Sequence, residues 1–476
     1  MQQHTVDVAV IGAGTAGLAA YRAAMAAGKR AVIIEGGAFG TTCARVGCMP
    51  SKLLIAAAEA AHGVEKWPAF GLRLDGELRV DGVAVMDRVR RERDRFVGFV
   101  LEGVDKIPAR EKLIGHARFT GPHTLEVRGA DGELAHGVEF ASAVIATGSS
   151  PDVPLPLRGA GDRLIVNDDV FSWQDLPSSV AVFGPGVIGL ELGQALHRLG
   201  VAVHVFGRGG KVGPFQDPAL QDYARRTMGA EFPLYPDAGD VVVTRDGDAV
   251  EVRFTSEGQM RAVRVDYVLA ATGRTPNVRR LGLETTGIAL NGRGVPRYNA
   301  HTLQCSESHI FIAGDANADL PLLHEAADEG RIAGENAARF PLVGPGERRA
   351  PIAVVFSDPQ MAVVGAPFRA LDADRTVTGM VSFEDQGRSR VMLRNRGLLH
   401  VYVDTESGRL QGAEMIGPDA EHIAHLLAWV IQLGQTVDGV LALPFYHPVV
   451  EEGLRTALRD AKAKRDVALA RRAMAA

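Results

Sequence analysis

Val6-Asp7-Val8-Ala9-Val10-Ile11-Gly12-Ala13-Gly14-Thr15-Ala16-Gly17 is the stretch whose reading decides the fold. Val6 to Val10, apolar except for Asp7, reads as a short buried strand. Gly12-x-Gly14-x-x-Gly17 follows at once, then an alanine-rich helix to about Ala27 and a strand ending at Glu35. In such a turn Gly12 permits the tight bend, Gly14 lets the backbone approach a pyrophosphate, and Gly17 lets helix and strand pack closely. The helix N-terminus offers unpaired N–H groups and a positive dipole end to phosphates. Glu35 stands where a carboxylate would bind ribose hydroxyls. A lone pattern of this kind is weak evidence, and its competing reading is a tight turn with no ligand.

The pattern occurs twice. Val180 to Phe183 is again a strand, followed by Gly184-x-Gly186-x-x-Gly189, a helix to about Leu199 and the strand Val201 to Phe206. Two copies in strand–turn–helix–strand context are strong evidence for two dinucleotide sites. The second differs at its strand end, Phe206-Gly207-Arg208, which has no acid at the ribose position. An arginine there can pair with a 2′-phosphate and favour NADPH. The alternative is a surface arginine with the ribose held otherwise.

Both halves close alike, with apolar strands running into Thr147-Gly148 and Thr272-Gly273, and with Pro151 and Pro276 as domain exits. His309 to Asp315 is a further buried strand, ending in Gly314-Asp315, that returns the chain to the first domain. From about Ala350 the pattern changes to strands (Ile352 to Phe356, Leu398 to Val403) with helices near Glu421 and Glu451. The expected fold class is α/β: two Rossmann-like dinucleotide-binding domains plus a C-terminal α+β domain. The expected boundaries are 1–150 for the first domain, 151–276 for the second, 277–347 for the return and 348–476 for the third. The tail from Arg459 to Arg472 reads as a basic, alanine-rich helix with a solvated face.

The 476 residues exceed one compact core and suggest two to four domains. A net charge of -5 leaves no electrostatic footprint for nucleic acid. Val8 to Ala27 is apolar, but Gly12, Gly14 and Gly17 break it, so no membrane span is expected. Met1 to Val10 has no basic region followed by an apolar one, hence no signal peptide is read there. With three cysteines, two of them close together, the chain suits a reducing compartment; a cytoplasmic protein is expected.

Those two lie in Cys43-Ala44-Arg45-Val46-Gly47-Cys48-Met49-Pro50-Ser51-Lys52. In an ideal α-helix their Cα atoms would be roughly 8.6 Å apart, beyond disulfide reach. If they bond, the segment is distorted, and Gly47 supplies the freedom. Pro50 suits the first turn of a helix. Cys48 would then lie near a helix N-terminus with Lys52 one turn later, and both features stabilise a thiolate. Two small buried hydrophobes, or metal ligands, are the other readings, although no second Cys/His pair at zinc spacing is visible and no metal is expected. Cys305 reads as a buried small residue near a strand start. Far downstream, in Tyr446-His447-Pro448-Val449-Val450-Glu451-Glu452, the carboxylate five residues after His447 could orient its imidazole and raise its basicity.

Taken together, these residues resemble the class I pyridine nucleotide–disulfide oxidoreductases, a family that includes dihydrolipoamide dehydrogenase, glutathione reductase, mercuric reductase and soluble transhydrogenase. The resemblance covers nearly the whole chain, with the glycine turns, Cys-x4-Cys-x3-Lys, the Gly314-Asp315 strand end and His-Pro-x3-Glu in the family's order. It implies FAD in the first domain and NAD(P)H in the second. Gly12, Gly14, Gly17 and Glu35 would hold the FAD pyrophosphate and adenosine ribose, with His116 and Ala117 near adenine and Thr147 and Gly148 among the cofactor contacts. Asp315 would meet the ribityl–phosphate region and His324 the flavin surroundings. Lys52 would sit near the reactive flavin edge, paired with Glu191. Gly184, Gly186, Gly189, Arg208 and Gly273 would line the nicotinamide site. The third domain would form a homodimer that brings His447, with Glu452, to the other subunit's cysteines. Cys43 and Cys48 would be the redox-active pair, and His447–Pro448 would be cis.

Two departures stand out. The family usually has two glycines before its first active-site cysteine, but Thr41 replaces one here. Ala44-Arg45 stands where leucine–asparagine is common. Among the branches, Cys43 argues against a transhydrogenase, and the lack of a C-terminal cysteine pair argues against mercuric reductase. Pro321 to Ala326 and the cysteine segment look lipoamide-type, whereas Arg208, Arg22 and Arg331 lean toward glutathione reductase. Phe96 to Lys106 lacks the tyrosine expected of the latter. The favoured substrate is a dihydrolipoamide-type dithiol or lipoyl group, with membership of a 2-oxoacid dehydrogenase complex open. A glutathione-type disulfide is the alternative.

Overall fold

A computed structural model describes residues 2–475. The chain forms two compact units. The first takes the residues up to Pro50, Arg88–Asp152 and Gly273–Arg348; the second takes Ser51–Asp87, Val153–Thr272 and the residues from Arg349 on. Residues 51–87, inside the segment read from sequence as the first domain, therefore cluster with the second unit.

The first unit is built on a seven-stranded sheet. Gln2–Ile11 lies between Ala31–Glu35 and Leu134–Ile145, parallel to both, with Val10 opposite Ile33 and Val144. Ile310–Ile312 adds in parallel to Leu134–Ile145. Burial on both faces at Val8 to Ile11 explains why that end of the strand is uninterrupted hydrophobe. Val8 and Val10 enter one core and Ala9 and Ile11 the other. The strand begins at Gln2, earlier than Val6, because pairing with Leu134–Ile145 runs down to Gln2–His136. The helices Thr15–Ala26 and Leu323–Arg339 cross closely: a Cβ on Gly330 would fall 2.2 Å from Ala16 O and one on Gly334 2.4 Å from Ala20 O. Only glycine permits that approach.

Pro151 and Pro276 do more than mark exits. Ser149–Pro151 and Arg274–Pro276 pair as a two-stranded antiparallel ribbon, Ser150 opposite Thr275.

The second unit contains three sheets. Ser179–Phe183, Ala202–Phe206, Tyr267–Ala270, Leu164–Val166 and Leu234–Tyr235 make a five-stranded parallel sheet. A three-stranded antiparallel sheet, Gly239–Asp246, Ala249–Ser256 and Gln259–Val265, shares a core with it through Phe206 and Phe254. The third is five-stranded and antiparallel, in the order Ile352–Val355, Gln360–Gly365, Leu410–Gly417, Leu398–Asp404, Thr376–Ser382. Helices Ala420–Gln432 and Glu452–Ala475 contribute Ile423, Leu427, Leu454, Leu458 and Ala461 to its core. The C-terminal helix starts at Glu452, before the tail read as Arg459 to Arg472; its buried residues lie mainly in its first turns, and within that tail Ala461 alone is buried. No helix among the described residues is long and apolar enough to cross a membrane.

Candidate active site

The two glycine turns have the same geometry. Gly12 has φ +106° and Gly184 has φ +110°, conformations L side chains avoid. A Cβ on Gly12 would lie 2.3 Å from Ala146 O, and one on Gly184 2.2 Å from Ala271 O. A Cβ on Gly17 would fall 1.8 Å from Gly12 O, and one on Gly189 1.9 Å from Gly184 O. The middle glycines, Gly14 and Gly186, face open space, with nothing within 4 Å of a Cβ. They are also the N-caps of Thr15–Ala26 and Val187–Arg198, and no side chain caps either helix. Each turn thus combines a forced bend, a close helix–strand contact and an open helix end that suits a phosphate.

Glu35 braces the first turn. Its Oε2 accepts from Ala13 N at 2.7 Å and its Oε1 from Gly37 N at 2.8 Å, which leaves lone pairs for ribose hydroxyls. Gly115 N donates to Glu35 O at 2.8 Å. A Cβ on Gly36 would meet His116 Nδ1 at 2.3 Å, so the exposed His116 ring borders the same strand end; Ala117 follows it in the strand His116–Gly121. Thr147 Oγ1 is buried with no hydrogen-bond partner among the described residues, next to Gly148 at φ +65°. An orphan hydroxyl, an uncapped helix end and a braced carboxylate fit a bound dinucleotide.

Asp315 lies in the turn Gly314–Asn317, where Gly314 has φ +67°. Asp315 Oδ2 accepts from Ser149 Oγ at 2.6 Å, and Ser149 Oγ accepts from Arg274 Nε at 2.8 Å. Behind the turn, buried Glu329 accepts from Gly314 N at 2.8 Å, Asn317 Nδ2 at 2.7 Å and Arg348 Nη1 at 2.7 Å. Burial holds the Glu329 carboxyl above the usual range against these bonds. Sequence reading passed over Ser149, Arg274, Glu329 and Arg348. A usable signal was present: Thr147 to Pro151 and Thr272 to Pro276 share the spacing Thr-Gly-x-x-Pro, which matches the paired ribbon. His324 is exposed near the start of Leu323–Arg339, and Gly273, at φ +111°, precedes the ribbon.

The cysteines flank a helix break. Cys43 is in the short helix Thr42–Val46 and Cys48 begins the helix Cys48–Gly63, with Gly47 between them at φ -126°, ψ -116°. The two cysteines are therefore not in one continuous helix, and no disulfide joins them here. Cys43 is half-buried and Cys48 exposed. Cys48 therefore has the helix N-terminus that favours a thiolate, with Pro50 in the same turn. Just before them, Thr41 has φ +59° and ψ 149°, a region occupied almost only by glycine. Its Oγ1 accepts from Ala44 N at 3.4 Å. Arg45 donates to Ala38 O at 3.2 Å. Cys305 is fully buried, and burial pushes its thiol up, as suits a packing residue.

In the second unit, Lys52 Nζ lies 2.7 Å from Glu191 Oε2 and 4.5 Å from the centre of the Phe356 ring. Phe356 N donates to Glu191 Oε1 at 3.0 Å. His447 Nδ1 lies 3.0 Å from Glu452 Oε2, and the His447–Pro448 bond is cis. Burial raises the Glu452 carboxyl, but the Val449 N–H, His447 and Arg455 outweigh it and hold it below its ordinary range. Arg208 is exposed just past the strand Ala202–Phe206. Among the described residues no group of three or more His, Cys, Asp or Glu is arranged to hold a metal.

Comparison with known proteins adds a family. The model "Pyridine nucleotide-disulphide oxidoreductase" matches residues 6–330, and its dimerisation-domain model matches residues 352–458. The dihydrolipoyl dehydrogenase of Geobacillus stearothermophilus is 30% identical over 454 residues, covering 94% of each chain. The mercuric reductase of Shigella flexneri is 32% identical over 467 residues, covering 95% of this chain and 80% of that one. Among solved structures, the Cu(II) complex of the HOCl-induced flavoprotein disulfide reductase RclA from Escherichia coli superposes with a TM-score of 0.79 at 22% identity, covering 97% of this chain and 99% of that one.

Proposed function

The chain belongs to the pyridine nucleotide-disulphide oxidoreductase family, dimeric enzymes that use FAD and NAD(P)H, and from that premise we propose that it transfers electrons between a dihydrolipoamide-type dithiol and NAD(P)+ through a Cys43–Cys48 disulfide. The observation that carries the reading is the helix break at Gly47, which puts Cys48 on a helix N-terminus and Cys43 on a separate short helix. Residues 1–150 and 277–347 are assigned to FAD, 151–276 to the nicotinamide and 348–476 to the dimer. When bound, FAD supplies the two-electron group that connects the reduced cysteine pair to the nicotinamide.

The remaining chemistry belongs to side chains. The Glu452 carboxylate accepts the Nδ1 proton of His447, which leaves Nε2 as the basic nitrogen. His447 of one subunit takes a proton from a substrate thiol at the other subunit's cysteines. The resulting thiolate attacks Cys43 Sγ, a mixed disulfide forms, and Cys48 leaves as a thiolate. The second substrate thiolate then attacks the substrate sulfur and releases Cys43. The substrate dithiol is oxidised to a disulfide and the enzyme disulfide is reduced to two thiols. Cys48 sits at a helix N-terminus, whose positive dipole end favours the departing thiolate. A disulfide reductase runs the same steps backwards.

The substrate assignment rests on the lipoamide-type segment Pro321 to Ala326 and on dihydrolipoyl dehydrogenase relatives such as that of Thermus scotoductus, 32% identical over 467 residues. A cytoplasmic location and a role in a 2-oxoacid dehydrogenase complex belong to the same reading. One observation favours a second: Arg208, exposed where the ribose acid would be, suits NADPH and a glutathione-type disulfide. Turnover of NADH and NADPH, each against lipoamide and glutathione disulfide, separates the two. Fast NADH–lipoamide turnover supports the first; NADPH-only turnover with glutathione disulfide overturns it.

A further inference from the structure

Asp315 is held by a relay whose parts the reaction does not itself require. Arg274 grips one residue twice, donating Nε–H to Ser149 Oγ at 2.8 Å and Nη2–H to Ser149 O at 2.6 Å. With its oxygen engaged by a cation, the Ser149 hydroxyl has a single proton left to place. It points that proton at Asp315 Oδ2, 2.6 Å away. Charge-assisted bonds of this kind are about twice as strong as neutral ones. Asp315 Oδ1 has no hydrogen bond among the described residues, so the relay leaves it presented to a ligand.

The rest of the turn is fixed independently. Glu329 anchors the Gly314 N–H and the Asn317 amide, while Arg348 ties Glu329 to Glu325. A Cβ on Gly314 would sit 3.0 Å from Ala16 Cβ, so the turn packs on the helix that follows the first glycine turn. With the backbone clamped from below, the orientation of the Asp315 carboxylate is the variable that Ser149 and Arg274 decide.

We propose that Arg274, acting through Ser149, is a positioning residue for the flavin cofactor: it sets the rotamer of the Asp315 carboxylate and thereby slows FAD release. The proposal rests on the FAD reading of the first unit. The test is the rate of FAD release from purified holoenzyme, followed by the rise in flavin fluorescence on dilution. Ser149→Ala and Arg274→Met should each release FAD about tenfold faster than wild type, the size expected for a lost charge-assisted bond. Because the residues act in series, the double variant should be no faster than Ser149→Ala alone. Ser149→Thr, which keeps the hydroxyl, should stay within about twofold of wild type. If Arg274→Met does not fold, Ser149→Ala against Ser149→Thr still decides. Unchanged release in Ser149→Ala, or effects that multiply in the double variant, would overturn the relay while leaving the FAD reading intact. Purified wild type without flavin absorbance would instead overturn the functional reading, and the proposal with it.

Discussion

Lys52 Nζ and Glu191 Oε2 lie 2.7 Å apart, the carboxylate almost fully buried and the ammonium half-buried against Phe356. The pair ties the helix Cys48–Gly63, which begins with a cysteine, to Val187–Arg198, which follows the second glycine turn. Residues 139 positions apart are thus joined by an ion pair, and Phe356 N–H holds the other oxygen of the same carboxylate.

Removing only the cation leaves Glu191 buried with a single N–H donor, and an uncompensated buried charge costs about 3 kcal/mol or more. Lys52→Met should therefore lower the thermal midpoint clearly. Lys52→Met with Glu191→Gln should recover part of the loss, because no buried charge is left unpaired. A double variant as unstable as the sum of the singles would show that the pair contributes little.

His447→Ala should slow dithiol oxidation by about 10²–10⁴-fold while NAD(P)H still bleaches the flavin. Glu452→Gln should give a smaller loss, since Glu452 only orients the imidazole. Stopped-flow separation of the two half-reactions checks both. Equal loss in the two half-reactions would remove His447 as the base.

Thr41 predicts an unusual order of stabilities. A non-glycine residue at φ +59°, ψ 149° carries about 1–3 kcal/mol of strain, whereas its cap to Ala44 N is long. Thr41→Ala keeps the strain and loses the cap; Thr41→Gly loses both and adds chain entropy of about 0.5–1 kcal/mol. Glycine should therefore exceed alanine by about 1 kcal/mol in thermal or urea denaturation. Alanine equal to or above glycine would argue against the strained conformation.

Glu414 gives a pH-dependent signature. It is buried, and desolvation raises its pKa despite N–H donors from Asp217 and Gln216; the neighbouring Asp217 charge adds to the rise. His400 and Tyr402 share Asp217 as a partner. A raised folded-state carboxyl binds protons more tightly than the unfolded chain, so its contribution to stability falls as pH rises above about 4.5. Glu414→Gln removes that dependence. Relative to wild type, its thermal midpoint should climb between pH 4 and pH 7.5; a flat difference would contradict the assignment.

Much of this was readable in the chain. The two glycine turns carry steric demands so specific that each glycine's role could be assigned before any coordinate, and Glu35 and Cys48 follow from strand and helix ends. What stayed hidden is tertiary. Nothing local to Ser149 says that Arg274, 125 residues later, grips it, or that Glu329 reaches back to Gly314. Thr41 was visible as a departure, but its positive φ follows from the loop around it. The solvated reading of Arg459 to Arg472 misses Ala461, which joins the core of the antiparallel sheet together with Leu454 and Leu458 earlier in the same helix.

The central claim, that electrons pass through the Cys43–Cys48 pair, is tested most directly by Cys43→Ser. With NAD(P)H and lipoamide or glutathione disulfide in the steady state, wild type should turn over at least one pair. The variant should still reduce its flavin with NAD(P)H yet lose disulfide turnover. Full turnover by Cys43→Ser would contradict the account.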